Sequence, residues 1–328
     1  MTRAIVARAP ARLDFGGGWT DVPPYCDREG GAVCSVAITR YATATTALDA
    51  DSARRVGGGP PSDDPLTTAA LHRAGMPRAV ARVTADFPAG AGLGGSSACG
   101  VALAGALAML RGTPLPPNEL AALSRATEVD DLGIVGGYQD HYAAAFGGAL
   151  LLGFGECASV ESLTLPGTSA ADLVRRGILL YTGESRLSGS TVAAVRDAYL
   201  DGEPSTIEAL ARMKALAGEM ASAMRAGDVD TLGRLVGEHW VHQRALHPSI
   251  TTPRIDAIVE TAERVGALGV KALGASGGGC VLAIAAQGRE DELAEALAPF
   301  GERLEYAIDQ DGFQVVAVLD ERHDDVAS

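Results

Sequence analysis

Lysine is almost missing from this chain: it occurs only at Lys214 and Lys271, against 25 arginines among 328 residues. No Gly-Lys-Ser/Thr triplet exists, which excludes a Walker-type phosphate loop with its lysine. Basic charge in excess is missing too. The formal net charge is −14, the opposite of what neutralising nucleic-acid phosphates requires, so no nucleic-acid partner is expected. The five cysteines (Cys26, Cys34, Cys99, Cys157 and Cys280) are scattered, odd in number and never in a CxxC pair. They give no disulfide framework and fit reduced thiols in a cytoplasmic protein. An unbroken apolar leader is absent, because Arg3, Arg8 and Arg12 interrupt the N-terminus. The uncharged run 87–110 is no membrane span, since its first half is too glycine-rich to be a stable helix in lipid.

What is present is enough apolar material for a large core, 47% against 21% charged residues, in one large domain or two ordinary ones. Strand signals cover residues 4–9, the β-branched run 33–48 and residues 79–85, with a Gly/Pro-rich loop over 54–65. Helices are expected over 96–110 and 117–129, and strands over 148–154 and 160–165. After a lobe boundary near 167–171 come a strand at 177–181, a loop at 182–190, and helices over 205–225, 228–240 and 253–265. The C-terminal stretch reads as strand 280–285, helix 290–300, and strands 303–307 and 313–319. The organisation expected is α+β in two lobes, 1–170 and 171–328, the second ferredoxin-like.

Three glycine-rich segments lie far apart. The first contains Arg12-Leu-Asp-Phe-Gly-Gly-Gly-Trp-Thr-Asp21-Val-Pro-Pro, the second Pro88-Ala-Gly-Ala-Gly-Leu-Gly-Gly-Ser-Ser97, and the third Leu273-Gly-Ala-Ser-Gly-Gly-Gly-Cys280. The second carries a literal Gly-x-Gly-x-x-Gly at Gly90, Gly92 and Gly95, but a second helix at Pro117 replaces the strand and acid a dinucleotide fold needs. What remains is a glycine loop opening into an uncharged helix, where backbone N–H groups and the helix dipole suit phosphate oxygens. A nucleoside triphosphate is the natural guest, and a serine beside it suits Mg²⁺; a capped core helix has the same spelling. The segment from Glu128 to Asp140 has a carboxylate at each end and glycines between, so Glu128 suits a metal and Asp140 a base, as they would equally suit a solvated loop. His239, His242 and His247 lack a fourth ligand at sensible spacing, and no structural zinc is expected.

Taken together, these segments resemble the GHMP kinase superfamily over essentially the whole chain: the second matches its Pro-x-x-x-Gly-Leu-Gly-x-Ser phosphate loop and the third its C-terminal glycine loop. The first segment, with Gly133-Ile-Val-Gly-Gly-Tyr-Gln-Asp140 and Tyr181-Thr-Gly-Glu-Ser-Arg-Leu-Ser188, resembles the branch containing D-glycero-D-manno-heptose 7-phosphate kinase and the kinase portion of L-fucokinase.

The resemblance implies a two-lobed fold, an N-terminal lobe like domain 2 of ribosomal protein S5 and a ferredoxin-like C-terminal lobe, with ATP between them. It implies ATP contacts at Pro88, Gly90, Gly92, Leu93, Gly94, Gly95, Ser96, Ser97, Gly277 and Gly278, and Mg²⁺ at Ser96 and Glu128. Because the loop reads Gly95-Ser96-Ser97 where many members have Ser-Ser-Ala, Ser97 is the alternative metal ligand. Asp140 falls on the proposed base and Arg12 on a basic residue favouring the alkoxide. Gly17, Gly18, Asp21 and Gly137 fall on the sugar-binding motifs, Trp19 is placed to stack on a ring, and Arg186 to grip a phosphate already on the sugar. Trp19 as a buried turn residue and Arg186 as a solvated one are the plain alternatives. The implied activity is phosphorylation of an anomeric hydroxyl, of D-glycero-D-manno-heptose 7-phosphate first, with L-fucose or another hexose as alternative. A kinase for mevalonate or homoserine and a non-catalytic sugar sensor are less well matched. The expected partner is a small sugar or sugar phosphate, and the protein a monomer or homodimer.

Overall fold

The computed structural model describes residues 2–56, 59–184 and 189–321. In chain order the first lobe runs β1 (Thr2–Gly16), α1 (Tyr25–Glu29), β2 (Gly31–Ala47), α2 (Ala50–Arg55), α3 (Pro65–Arg73), β3 (Val80–Ala85), α4 (Gly95–Arg111), α5 (Pro117–Ala126), α6 (Gln139–Phe146), β4 (Ala149–Phe154) and β5 (Ser159–Leu163). There follow α7 (Ser169–Arg176), β6 (Gly177–Tyr181), α8 (Gly189–Leu200), α9 (Pro204–Ala226), α10 (Val229–Ala245), α11 (Pro253–Arg264), β7 (Ala267–Ala272), β8 (Cys280–Ala285), α12 (Glu290–Leu297), β9 (Glu302–Arg303) and β10 (Gln314–Glu321).

Two sheets result. The first has strand order β10-β1-β2-β4-β5 with β3 also on β2, and the second is β7-β8-β6-β9. β1 and β2 pair antiparallel almost end to end, since β2 is a long run of β-branched and small residues. α4 packs on both. Its Ala/Gly-rich surface is buried on nearly every side, and Gly112, at φ 80°, supplies the left-handed residue that ends it. Asp64, Asp228 and Thr252 cap α3, α10 and α11 with side-chain oxygens. One apolar cluster runs from β1 and α4 through Leu216 and Met220 of α9 to Leu282 and Ile284 of the second sheet, so the lobes share a core. No helix among the described residues is long and apolar enough to cross a membrane.

The α+β, two-lobed expectation stands, with local corrections. The strand expected over residues 4–9 extends to Gly16, accommodating Pro10, which has no N–H, beside a register shift between Pro10 and Ala11. The loop expected over 54–65 is entered by α2 and followed at once by the unforeseen α3. The helix expected to reach residue 129 is α-helical only to Ala126 and continues as a π-helical turn, Thr127–Asp131. Of the strand expected over 303–307 only Arg303 belongs to a strand, the two-residue β9, and the last strand, β10, returns to β1 of the first sheet. β7 went unread because Gly266 and Gly269 interrupt its pattern.

Gly269 is required where β7 passes under α10: a Cβ there would stand 2.0 Å from Gly233 O and 2.6 Å from Gly237 N. Gly269→Ala is expected to lower unfolding stability by about 3 kcal/mol in urea titration, an overpacking penalty. Gly218→Ala, in α9 with nothing within 4 Å of the added carbon, is expected to raise it by about 0.5–1 kcal/mol. Equal effects of the two would contradict this packing.

Candidate active site

All three glycine segments and the 128–141 stretch contribute to one cleft of about 610 Å³. The second segment runs along it from Pro88 to Ser97 and ends in the first turn of α4. Gly94, at φ 71°, turns the chain into that helix, leaving a positive helix end where an anion would sit. The loop is held from both sides. A Cβ on Gly94 would stand 3.1 Å from Asp140 Cγ, and one on Gly92 would stand 2.5 Å from Leu273 O. Cys280 N donates to Ala91 O at 2.8 Å, tying the loop to β8. From the third segment Gly274 and Ala275 line the cleft, whereas Gly277 and Gly278 do not: Gly277 N donates to Ile250 O at 2.9 Å, and Gly278 packs on Glu184 O. That segment therefore buttresses the loop.

Arg12, on β1, is 3% exposed. Its Nε donates to Asp140 Oδ1 at 2.7 Å and its Nη1 to Gly92 O at 2.6 Å, while its backbone N donates to Leu93 O at 3.0 Å. Asp140 stands in the first turn of α6. That turn is fixed by Asp21, whose Oδ2 accepts from the backbone N of Tyr138 at 2.8 Å and of Gln139 at 2.9 Å. Gly137 is glycine because a Cβ would reach within 2.0 Å of Asp21 Oδ2. Burial pushes the Asp21 carboxyl up to about 6; the hydrogen bond from Gln139 opposes this and the charge of Asp140 adds to it.

Glu128 sits on the π-helical turn, a local widening that recurs at functional sites. Ser96 Oγ donates to its Oε1 in a short contact, and Ser97 Oγ lies 3.4 Å from Oε2. His141, buried and not foreseen as a site residue, lies 3.1 Å from Glu128 Oε2 and 3.3 Å from Ser97 Oγ through Nε2, and 2.9 Å from Ser124 Oγ through Nδ1. Burial raises the Glu128 carboxyl, but His141 first and then the two serines outweigh it and hold the acid below its ordinary value. A hydroxyl and an ionised carboxylate are the hard oxygen donors Mg²⁺ takes. Among the described residues no group of three or more His, Cys, Asp or Glu could hold a metal. A Mg²⁺ here would complete its shell with phosphate and water, its usual habit.

Trp19 is 7% exposed and packed in the second lobe's apolar cluster, yet it lines the cleft. Gly18 lines it as well, while Gly17 N donates to His239 Nε2 at 2.9 Å, so that histidine serves the backbone. Arg186 lies outside the described residues.

A glycine loop on a helix end, a paired acid and arginine, and two serines against a carboxylate thus share one cleft. The family model for the GHMP kinases N terminal domain matches residues 66–148 and that for GHMP kinases C terminal matches residues 220–302, and the chain belongs to this family of ATP-dependent kinases. It is similar to D-glycero-alpha-D-manno-heptose 7-phosphate kinase of Campylobacter jejuni, 28% identical over 84% of this chain and 88% of that protein. It is similar also to L-fucokinase/L-fucose-1-P guanylyltransferase of Bacteroides fragilis, 27% identical over 86% of this chain, although it spans only 34% of that longer protein. In fold it matches the crystal structure of a D-glycero-D-manno-heptose 1-phosphate kinase from Bacteroides thetaiotaomicron with a TM-score of 0.74, at 24% identity, over 96% of this chain and all of the other.

The raised Asp21 carboxyl makes a stability prediction. Between an unfolded value near 3.8 and a folded one of about 6 the folded state binds the extra proton, so stability is lost as pH rises through that window. Relative to Asp21→Asn, the wild type is expected to lose about 2 kcal/mol between pH 4 and pH 7. Urea titrations of both proteins across that range would show a constant difference if Asp21 were not buried in this way.

Proposed function

We propose that the chain is an ATP- and Mg²⁺-dependent sugar kinase acting on the anomeric hydroxyl, with D-glycero-D-manno-heptose 7-phosphate as its first substrate. The observation that carries this reading is the Arg12–Asp140 pair set against Gly94 of the glycine loop, a geometry that supports a base and a cation beside bound phosphate. The full-length similarity to the Campylobacter enzyme supports the heptose phosphate.

In this reading the loop from Pro88 to Ser97 and the end of α4 hold the triphosphate. Ser96 and Glu128 would hold Mg²⁺, which when bound screens the phosphate charge and orients the terminal phosphoryl group. His141 occupies Ser97, which favours Ser96 as the ligand. The sugar oxygen bonds to the γ-phosphorus as the bond to the β–γ bridging oxygen breaks. Asp140 receives the hydroxyl proton, and the Arg12 charge favours the alkoxide. Asp21 and Gly137 shape the floor beneath the sugar, with Trp19 beside it. The five unpaired cysteines suit a cytoplasmic setting.

A hexose such as L-fucose is the second reading, favoured by one observation: Arg12 is the only lysine or arginine among the described residues lining the cleft, and it already bonds Asp140 and Gly92.

ADP release with Mg·ATP against D-glycero-D-manno-heptose 7-phosphate, L-fucose, D-galactose, D-mannose and mevalonate tests this. Turnover of a sugar is expected, and Asp140→Asn should lower kcat by about 10²–10⁴ without abolishing it, because a dissociative transfer needs the base late. Glu128→Gln should chiefly raise KM for Mg·ATP. Silence across the panel with ATP still bound would instead indicate a sensor.

A further inference from the structure

One residue of the third glycine segment has a backbone that its side chain does not suit. Ser276 stands at φ 62°, between Gly274 at 65° and Gly277 at 83°, in the left-handed region that glycine enters freely and serine only at a cost. A glycine at 276 would relieve it. The serine is buried, and its hydroxyl is met by a side chain from α10: Gln243 Nε2 donates to Ser276 Oγ at 3.3 Å.

Gln243 is fully buried. The same Nε2 donates to Gly274 O at 3.0 Å and to Ala272 O at 3.4 Å. Carbonyls only accept, so the amide nitrogen has to face the segment, and Oε1 is left with no hydrogen-bond partner. A left-handed serine and a bare buried amide oxygen both lower folding stability, and they occur together here. The segment they grip lies against the phosphate loop. A Cβ on Gly274 would stand 3.0 Å from Gly92 Cα, and one on Gly279 would stand 2.8 Å from the Ala91 carbonyl carbon. The two glycine loops therefore touch backbone to backbone on either side of Ser276, with no side chain between them to absorb a shift.

We propose that Gln243 and Ser276 are positioning residues that latch the third glycine segment beneath the phosphate loop, so that affinity for the triphosphate depends on a side chain of α10 outside the cleft. Neither side chain belongs to the cleft lining, where Gly274 and Ala275 stand for the segment. Their effect passes from Gln243 to Gly274 and Ser276, and from Gly274 to Gly92. A loop held in its binding conformation loses less freedom when the phosphates arrive, and that difference is the latch's contribution. The inference rests on the reading that the triphosphate lies along Pro88 to Ser97, and adds to it a determinant that touches no ligand.

Calorimetric titration of the full chain with the Mg²⁺ complex of a non-hydrolysable ATP analogue, beside urea unfolding of the same variants, tests it. Ser276→Gly is expected to bind the analogue about fivefold more weakly while its urea midpoint falls no lower than that of the wild type, because relief of the left-handed backbone offsets the lost hydroxyl contact. Gln243→Met, which also frees Gly274 O, is expected to weaken binding about tenfold. Adding Ser276→Gly to Gln243→Met should change affinity no further, since the hydroxyl has then already lost its partner. Should Gln243→Met fail to fold, Ser276→Gly carries the test. Affinity within about twofold of the wild type in Ser276→Gly, a urea midpoint that falls along with affinity, or losses that multiply in the double variant would overturn the latch alone. A wild type that does not bind the analogue would overturn the reading of the phosphate loop and the latch with it.

Discussion

The Arg12 guanidinium is the contact on which the cleft depends. It leaves β1 to meet the Asp140 carboxylate and the Gly92 carbonyl at once, and its own backbone holds Leu93. A buried arginine is tolerable only when its donors are paired, so the loop and α6 are both pinned to it. It is also one of two buried cations set against an acid-rich wall, the other being Lys271 on Asp14. Asp14, Asp21, Glu128 and Asp140 all line the cleft, and without a cation among them their repulsion would work against any compact arrangement.

Rigidity comes from the lobes being packed into each other. The bond from Cys280 to Ala91, the approach of Gly92 to Leu273, and an apolar core running through α9 leave the glycine loop little room to relax. A phosphate site whose donors are already in place reorganises little when the reaction begins. The second lobe thus contributes by holding the loop, through Leu273 and Cys280. Lys271 extends the same logic, crossing from β7 to fix Asp14 in the first lobe.

Much of this was legible in the sequence where local pattern and fold agree. The long β2, the buried α4 and the three glycine segments follow from β-branched runs, alanine-rich helix chemistry and glycines at turns. Where reading failed, the cause was mostly distance along the chain. α6 opens with a glycine-rich run and no local cap, because its cap is Asp21, supplied from the first segment. The expected strand stopped at residue 9, before a proline and two charged residues, Arg12 and Asp14, whose charge belongs to the cleft they line. His141 looks like any helical histidine until Glu128, Ser97 and Ser124 surround it. That β10 joins the first sheet is a matter of topology which its own composition does not carry.

The most direct measurement of the central claim is phosphorus NMR of the product formed from Mg·ATP and the sugar that the chain turns over. The account predicts one new resonance coupled to the anomeric proton, with ADP formed in equal amount and the reducing end lost. A phosphate on any other hydroxyl, or free phosphate with the sugar unchanged, would contradict it.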